Sequence, residues 1–389
     1  MPANKPPFDG EWVKLGELIS KAPIERCGDA KYPVYSMTMR DGIVEQAGRF
    51  KKAIASKDTS SYKVVKKNQL VVGFPIDEGV IYVQNHDAPG IMSPAYNVWN
   101  IDLGRVDPSY LEFALHGPRS MAYYADKMRG TTARRRTLTA DGLREMEILL
   151  PSADGQIRVV NTLDEVRSLI EGASGQIAML DTLVKSRFVE MFGDGQWKRT
   201  ALSEVADIQG GLTKSGKRDL LPLKLPYLRV ANVLRGTLYL DEVLEIGLTA
   251  AECEKNLLVE GDLLFVEGNG SADQIGRCAV WDGSIAPCVH QNHLIRVRFD
   301  ERVLPVYALA YFNAYDGREQ IVARAVNTSG LFTLSTGKVK ALQMPLPPLP
   351  LQQKFADFVN NVDKSRYIVQ QKIEKLQTLY DSLAQEYFG

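Results

Sequence analysis

Two stretches of the chain carry apolar residues at helical spacing over a length that few globular helices reach. In the second, Phe355, Phe358, Val362, Val369, Ile373, Leu376, Leu383 and Tyr387 mostly step by three, four or seven, the spacing of a coiled-coil seam. In the first, Val159, Val166, Ala173, Ile177, Leu180 and Met191 hold the matching positions. The pattern predicts two long helices. Gly193 ends the first, and the proline run at 347–350 forms a stiff, extended lead into the second. Gly172 and Gly175 interrupt the first seam, and each costs ~1 kcal/mol relative to alanine, so a kink or loosening is expected there. A helix packed on its own domain would show the same seam and is the plainer alternative.

Outside these stretches the apolar pattern shortens. Residues 63–65, 69–74, 80–84, 263–266, 277–281 and 293–299 read as short strands, and 108–115 and 306–312 as helices. The class is α+β. Two strand-rich α+β domains, at 1–151 and 196–348, are separated by two long helices, at 152–195 and 349–389, expected to lie antiparallel as a coiled coil.

The chain also repeats itself. Leu180 to Gly193 lies over Leu376 to Gly389 at an offset of 196 residues, with seven of fourteen positions identical. The same offset places Leu138 on Leu334, Pro151 on Pro347 and Gln156 on Gln352. Trp12 opens one half as Trp197 opens the other. This is a tandem duplication with a pseudo-two-fold character: similar tails and diverged globular parts, as suits two copies of one task on two targets.

Composition changes this picture little. The 389 residues suffice for two or three domains, the formal net charge is zero, and no apolar run approaches the ~18 residues of a membrane span. The N-terminus lacks the apolar core of a signal peptide, and Cys27, Cys253, Cys278 and Cys288 show no paired spacing; together these point to the cytoplasm. Charge is segregated. Seven basic residues face two acids in 119–144, and seven face three in 198–229, which can give a basic face on a neutral protein. Solvated loops would account for the same runs.

Candidate chemistry is thin. Gly211 to Lys217 nearly matches a phosphate-binding loop, but Arg218 replaces the magnesium-binding hydroxyl, and prolines follow where that loop needs a helix. Ser93-Pro94-Ala95-Tyr96 approaches an amino-methyltransferase motif without a methyl-donor glycine turn elsewhere. Cys278, Cys288, His290 and His293 lack zinc-site spacing. No catalytic residue and no metal site are assigned.

Two segments carry a resemblance. Leu183 to Asp194 (LVKSRFVEMFGD) resembles the central conserved region of specificity subunits of type I restriction–modification enzymes. Gln343 to Val359 and Glu386 to Gly389 resemble that family's distal conserved region. The order of domain, helix, domain, helix matches throughout. The resemblance implies a non-catalytic, DNA-binding subunit that reads a bipartite double-stranded site, one half per domain. It implies docking of two methyltransferase and two restriction/translocase subunits, with S-adenosylmethionine, ATP and magnesium belonging to those partners. Helices of about 35 residues, or about 50 Å, would set a gap of roughly five to nine base pairs between half-sites. Two readings compete: a nucleotide-using DNA enzyme built on 211–217, which would bind ATP alone, and a purely structural coiled-coil protein, for which the diverged domains have no use.

The resemblance carries over loosely to DNA contacts. The loop before the last strand of each domain gives Arg129, Thr131, Thr132, Arg134, Arg135 and Arg136 in the first copy and Asn327, Thr328 and Ser329 in the second. Further candidates are Ser36, Arg40, Asn85, His86 and Tyr96, then Lys214, Lys217, Arg218, Arg229 and Asn232. Asn269, Ser271, Gln291, Asn292 and His293 complete the set. Arginines suit guanine edges or phosphates and amides suit adenine edges, although turn chemistry explains many such residues equally well. Partner docking is expected at Leu180, Leu183, Phe188, Met191 and Phe192, and at Leu376, Leu379, Leu383, Tyr387 and Phe388.

Overall fold

The computed structural model describes residues 10–39, 41–49, 58–128, 132, 136–193, 197–328 and 330–389. The chain forms two units. Residues 1–174 with 371–389 make the first, and residues 175–370 the second.

The first unit is built on a four-stranded antiparallel sheet in the order Ile19–Lys21, Asn97–Ile101, Gln69–Val72, Ile81–Val83. Its short strands are apolar on the core side: Leu70 faces Trp99 across the ladder, and both are buried. The helix Pro108–His116 packs Tyr110, Leu111, Phe113, Ala114 and Leu115 into the core beneath. Asp107 starts it by accepting hydrogen bonds from the Ser109 and Tyr110 amides (2.8 and 3.0 Å), and Pro108 suits the first turn. Gly10–Lys14 pairs with Glu147–Pro151 and ties the start of the unit to the root of the first long helix.

The second unit repeats this plan. Its four-stranded sheet runs Ala206–Gly210, Leu294–Phe299, Leu263–Val266, Cys278–Val280, again antiparallel throughout. The helix Pro305–Asn313 buries Tyr307, Ala308, Tyr311 and Phe312, and Arg199–Ala201 pairs with Gln343–Pro345. A three-stranded sheet, Leu244–Leu248, Leu223–Leu228, Val289–His290, has its own small core of Leu225, Tyr227, Ile246, Leu248 and Val289, and the first unit has a shorter version in the hairpin of Tyr35–Met37 and Ile43–Glu45, bridged in parallel from Val34 to Ile91.

A polar lock recurs in both units. Gln156 accepts from the Asp107 amide (2.7 Å) and donates to the Arg105 and Pro151 carbonyls (3.1 Å each). Gln352 accepts from the Leu304 amide (2.9 Å) and donates to the Arg302 and Pro347 carbonyls (3.0 and 2.9 Å). Each buried glutamine therefore joins the residue that opens the domain helix to the first turn of the long helix. Beside it, the Tyr110 hydroxyl donates to the Leu149 carbonyl (2.7 Å) and the Tyr307 hydroxyl to the Pro345 carbonyl (2.8 Å). The duplication is thus present as matched hydrogen bonds as well as matched letters.

The two long helices are Ala153–Phe192 and Leu349–Phe388, each of 40 residues. Each begins in one unit and ends in the other. Within each unit the two helical portions run antiparallel. In the first unit Val159 and Leu163 share a core with Leu383, Tyr387 and Phe388. In the second, Phe188 and Phe192 pack on Phe355 (ring centroids 5.4 and 5.7 Å apart), while Arg366 donates to Asp181 (2.6 Å). The seam residues read from the sequence are all buried or half-buried. The loosening expected at Gly172–Gly175 is absent: the helix is uninterrupted, because open space around both glycines leaves nothing to force the backbone aside.

Candidate nucleic-acid interface

In the second unit, the strands Gly268–Asn269, Leu331–Thr333 and Val326–Thr328 form a small antiparallel sheet. Its register sets Asn269, Phe332 and Asn327 in one row. Strands lie about 4.8 Å apart, so the two asparagine backbones stand about 10 Å from each other. Phe332 leans on the unit's core and fixes the row. The Asn269 carbonyl oxygen accepts from the Ser271 amide (2.9 Å), and that of Asn327 accepts from the Gly330 amide (3.2 Å). Each asparagine thus uses its side-chain oxygen to shape its own turn.

Neighbouring loops are tied to this sheet. Glu267, one residue before it, meets the His293 ring at 2.9 Å, and its amide donates to the His293 carbonyl (2.9 Å). Gln291 bridges Leu212, whose amide donates to the His290 carbonyl (2.8 Å), and the Asn292 amide returns to Leu212 (3.0 Å). Gly211 makes this approach possible, since a Cβ there would meet the His290 carbonyl oxygen at 2.1 Å. Lys214 and Lys217 follow on the next turn. They are exposed and, among the described residues, have no ion-pair partner. Eight of the residues expected at DNA therefore fall on linked segments: Lys214, Lys217, Asn269, Ser271, Gln291, Asn292, His293 and Asn327. Only the backbone of Thr328 is described, and Ser329 lies outside the described residues.

Three others from this unit hold the fold. Asn232 is fully buried. It accepts from the Arg229 amide (2.8 Å) and donates to the Tyr239 and Glu242 carbonyls (2.9 Å each). Arg229 pairs with Glu242 at 3.2 Å. Arg218 donates to the Thr213 and Gly247 carbonyls (2.6 and 3.1 Å) and grips both oxygens of Glu252 (2.8 and 3.1 Å). That hydrogen bond, with the Thr249 amide behind it, pulls the Glu252 carboxyl down to about 2. The near-phosphate loop closes as one short turn, Gly216–Leu220, and no helix follows.

In the first unit, the hairpin of Tyr35–Met37 and Ile43–Glu45 carries Ser36, which accepts from Gln46 (2.6 Å). His86 stacks on Tyr35 (centroids 4.6 Å, interplanar angle 21°) and lies 2.9 Å from the Ile43 carbonyl, beside exposed Asn85. His86 thus sits on the side of the hairpin that carries the Tyr35 ring, whereas Ser36, the next residue of the strand, points to the other side. Tyr96 packs edge-on to Phe74 (5.4 Å), and burial raises its phenol above the usual range. Arg136 is held by Asp77 and Glu78, so an arginine expected at DNA is already paired. Thr132 is exposed. Arg40, Arg129, Thr131, Arg134 and Arg135 lie outside the described residues.

The docking expectation also changes. Phe188, Phe192 and Phe388 are buried in the cores of their own units, because aromatic rings at helix ends close those cores. Leu180, Met191, Leu376, Leu383 and Tyr387 are half-buried, and Leu183 and Leu379 are exposed. Sequence reasoning missed Phe332, whose place between two asparagines depends on register. It also gave no role to Gln156 and Gln352, although their equal offset was the available signal.

No cluster of three or more metal-binding side chains occurs among the described residues. Burial pushes the Cys278 and Cys288 thiols up to about 12, which leaves them poor nucleophiles and ligands. No described helix is long and apolar enough to cross a membrane.

Residues 195–378 match the family described as type I restriction modification DNA specificity domain. The chain is 28% identical over 167 residues to the type I restriction enzyme EcoKI specificity subunit of Escherichia coli K12, an overlap of 42% of this chain and 34% of that protein. It is 24% identical over 201 residues to the putative MjaX specificity subunit of Methanocaldococcus jannaschii, covering 49% and 45%. The matched segments thus span between a third and a half of these relatives. In fold, the chain resembles a type I restriction–modification S subunit from M. genitalium, with TM-score 0.52, 15% identity and coverage of 100% and 98%. A chain from a type I R-M system solved to explain complex assembly and conformational transition gives TM-score 0.60, 17% identity and coverage of 100% and 99%.

Proposed function

We propose that this chain, which belongs to the family of type I restriction–modification specificity subunits, binds double-stranded DNA and reads a bipartite sequence, one half-site per unit. The observation that carries this reading is the row Asn269–Phe332–Asn327, linked through His293 and Gln291 to the loop of Lys214 and Lys217. Amide donors on a rigid sheet can address acceptor groups on base edges, and lysines beside them can address phosphates. In the first unit the candidates are Asn85 and His86, beside the hairpin of Tyr35–Met37 and Ile43–Glu45.

The subunit supplies recognition and no bond-making of its own. Two methyltransferase subunits and two restriction subunits assemble with it. S-adenosylmethionine, ATP and magnesium act in those subunits. Docking uses the exposed sides of the long helices around Leu183 and Leu379.

The test is methylation by the chain together with its methyltransferase, read by modification-site sequencing on a random DNA library. Two half-sites separated by a fixed gap of roughly five to nine base pairs are expected. Four residues inserted near Gly172–Gly175 keep the apolar seam nearly in phase and should lengthen the preferred gap by one or two pairs, with both half-sites unchanged. Turnover by the chain alone, or a continuous recognition sequence, would overturn the reading.

A further inference from the structure

Leu220 is 88% exposed, more than any other large hydrophobic side chain among the described residues. Single exposed leucines are common and by themselves signify nothing. This one differs in how it is held and in what surrounds it. It ends the turn Gly216–Leu220. Arg218, two residues earlier, pins that turn to the sheet through Thr213, Gly247 and Glu252. The packing is close: a Cβ at Gly247 would meet the Arg218 carbonyl oxygen at 1.9 Å. The Arg218 carbonyl also accepts from the Leu221 amide (3.0 Å), which closes the turn behind the leucine. The tip is therefore fixed, not trailing.

Its surroundings are basic. Lys214, Lys217 and Lys224 are exposed without ion-pair partners among the described residues, and Asp219 is the one acid within 214–224, with Glu245 on the neighbouring strand. The positive charge of Arg218 is already neutralised by Glu252. The turn follows directly from Leu212, which bridges Gln291, so it is continuous with the proposed reading surface. A protein partner with an apolar socket would not call for three unpaired lysines around one leucine. A polyanion with stacked apolar faces inside it would.

We propose that Leu220 is a wedge that enters the DNA duplex between two base pairs at or beside the half-site read by the second unit. The lysines hold the flanking phosphates, and the Arg218 anchor resists recoil of the tip. Apolar side chains inserted in this way unstack one step and bend the duplex. The proposal rests on the DNA-reading function above.

The experiment uses the complex of the full chain with its methyltransferase subunits and cognate duplexes carrying 2-aminopurine at single positions. The base to be methylated is left out, because its extrusion raises the same signal. Wild type is expected to raise fluorescence several-fold at one step near the second half-site. Leu220→Ala should abolish that rise and Leu220→Phe should keep it, with the salt dependence of binding unchanged in both. Lys217→Ala should instead lower the slope of log affinity against log salt by about one. A flat signal at every step while methylation remains specific would overturn the wedge alone, as would an equal signal in Leu220→Ala. Loss of subunit assembly in Leu220→Ala would assign the tip to a protein contact and also overturn it. Absence of sequence-specific methylation by the wild-type complex would overturn the wedge together with the function it rests on.

Discussion

Gln156 and Gln352 make the same three hydrogen bonds in their respective units, whereas Arg136 and Asn327, which lie in the loops aligned at the same offset, do unrelated things. Arg136 is locked between Asp77 and Glu78. Asn327 stands exposed in a row of amides. The difference shows where a duplicated chain is free to change. Each glutamine satisfies three backbone groups at the root of its long helix, the Pro151 or Pro347 carbonyl among them buried, and an unsatisfied buried group costs about 1–3 kcal/mol. Arg136 and Asn327 answer to partners that the two copies do not share. The second unit also has a longer version of the small sheet that the first unit builds from Tyr35–Met37, Ile43–Glu45 and the Val34–Ile91 bridge, and the shared sheet order is the same.

The largest expected effect tests whether the units read independently. Replacing residues 12–151 by the same segment of a relative should change one half-site completely. On the remaining half-site, specificity over random DNA should stay in the range of 10³-fold or more. Modification-site sequencing of the exchanged chain reads this directly, and alteration of both halves would break the comparison.

Next come the glutamines. Gln156→Ala and Gln352→Ala each remove the partner of one amide and two carbonyls, of which the Pro151 or Pro347 carbonyl is buried. Each should destabilise its own unit by at least ~1–3 kcal/mol, and by similar amounts. Denaturant unfolding of both variants checks this. A severe loss from one and none from the other would show that the matched geometry is not matched energetics.

A smaller, local effect is expected at the reading surface. Asn327→Ala and Asn269→Ala should each cost ~1–3 kcal/mol of discrimination at one base pair of the second half-site. Arg136→Ala should leave both half-sites intact and lower the stability of the first unit through the loss of its pairs with Asp77 and Glu78. Library methylation and thermal unfolding of the three variants separate these outcomes. Relaxed specificity in Arg136→Ala would restore that residue to the interface.

The smallest effect concerns pH, and its sign differs between units. His290 is buried in the second unit, and burial, with the Arg296 charge beside it, holds its ring down to about 4 from an ordinary 6.5. Its folded value is depressed, so the stability it contributes is complete above pH 6.5 and is lost as pH falls from there towards 4. Glu112 in the first unit is shifted the other way. Burial raises its carboxyl above the ordinary 4.5, although the Val83 amide (2.6 Å) opposes this. Its contribution is present below 4.5 and is lost as pH rises through the folded value. Acidification from pH 7 to 5 should therefore loosen the second unit before the first. Hydrogen exchange corrected for intrinsic rates would show it, and His290→Leu should flatten the response of the second unit. Equal loosening of both units would remove this contrast.

Much of this was legible in the letters. Seam spacing gave the long helices, Pro108 and the apolar run after it gave a domain helix, and the offset of 196 residues gave the duplication. These features are local or repeat at a fixed period, so the sequence itself contains them. It also supplied the chemical types of the candidate contacts, since amides, lysines and arginines are read off directly. Their roles depended on partners far away in the chain. Arg218 looked like a phosphate-binding arginine until Gly247 and Glu252 closed on it, and Asn232 looked like an exposed amide until the Tyr239 and Glu242 carbonyls took it inside. Phe188, Phe192 and Phe388 share the seam of the docking leucines, and only packing showed that they fill cores. Whether a polar group faces solvent or completes a buried hydrogen bond depends on which backbone atoms fold against it. That pairing is set by tertiary register, which no local pattern encodes.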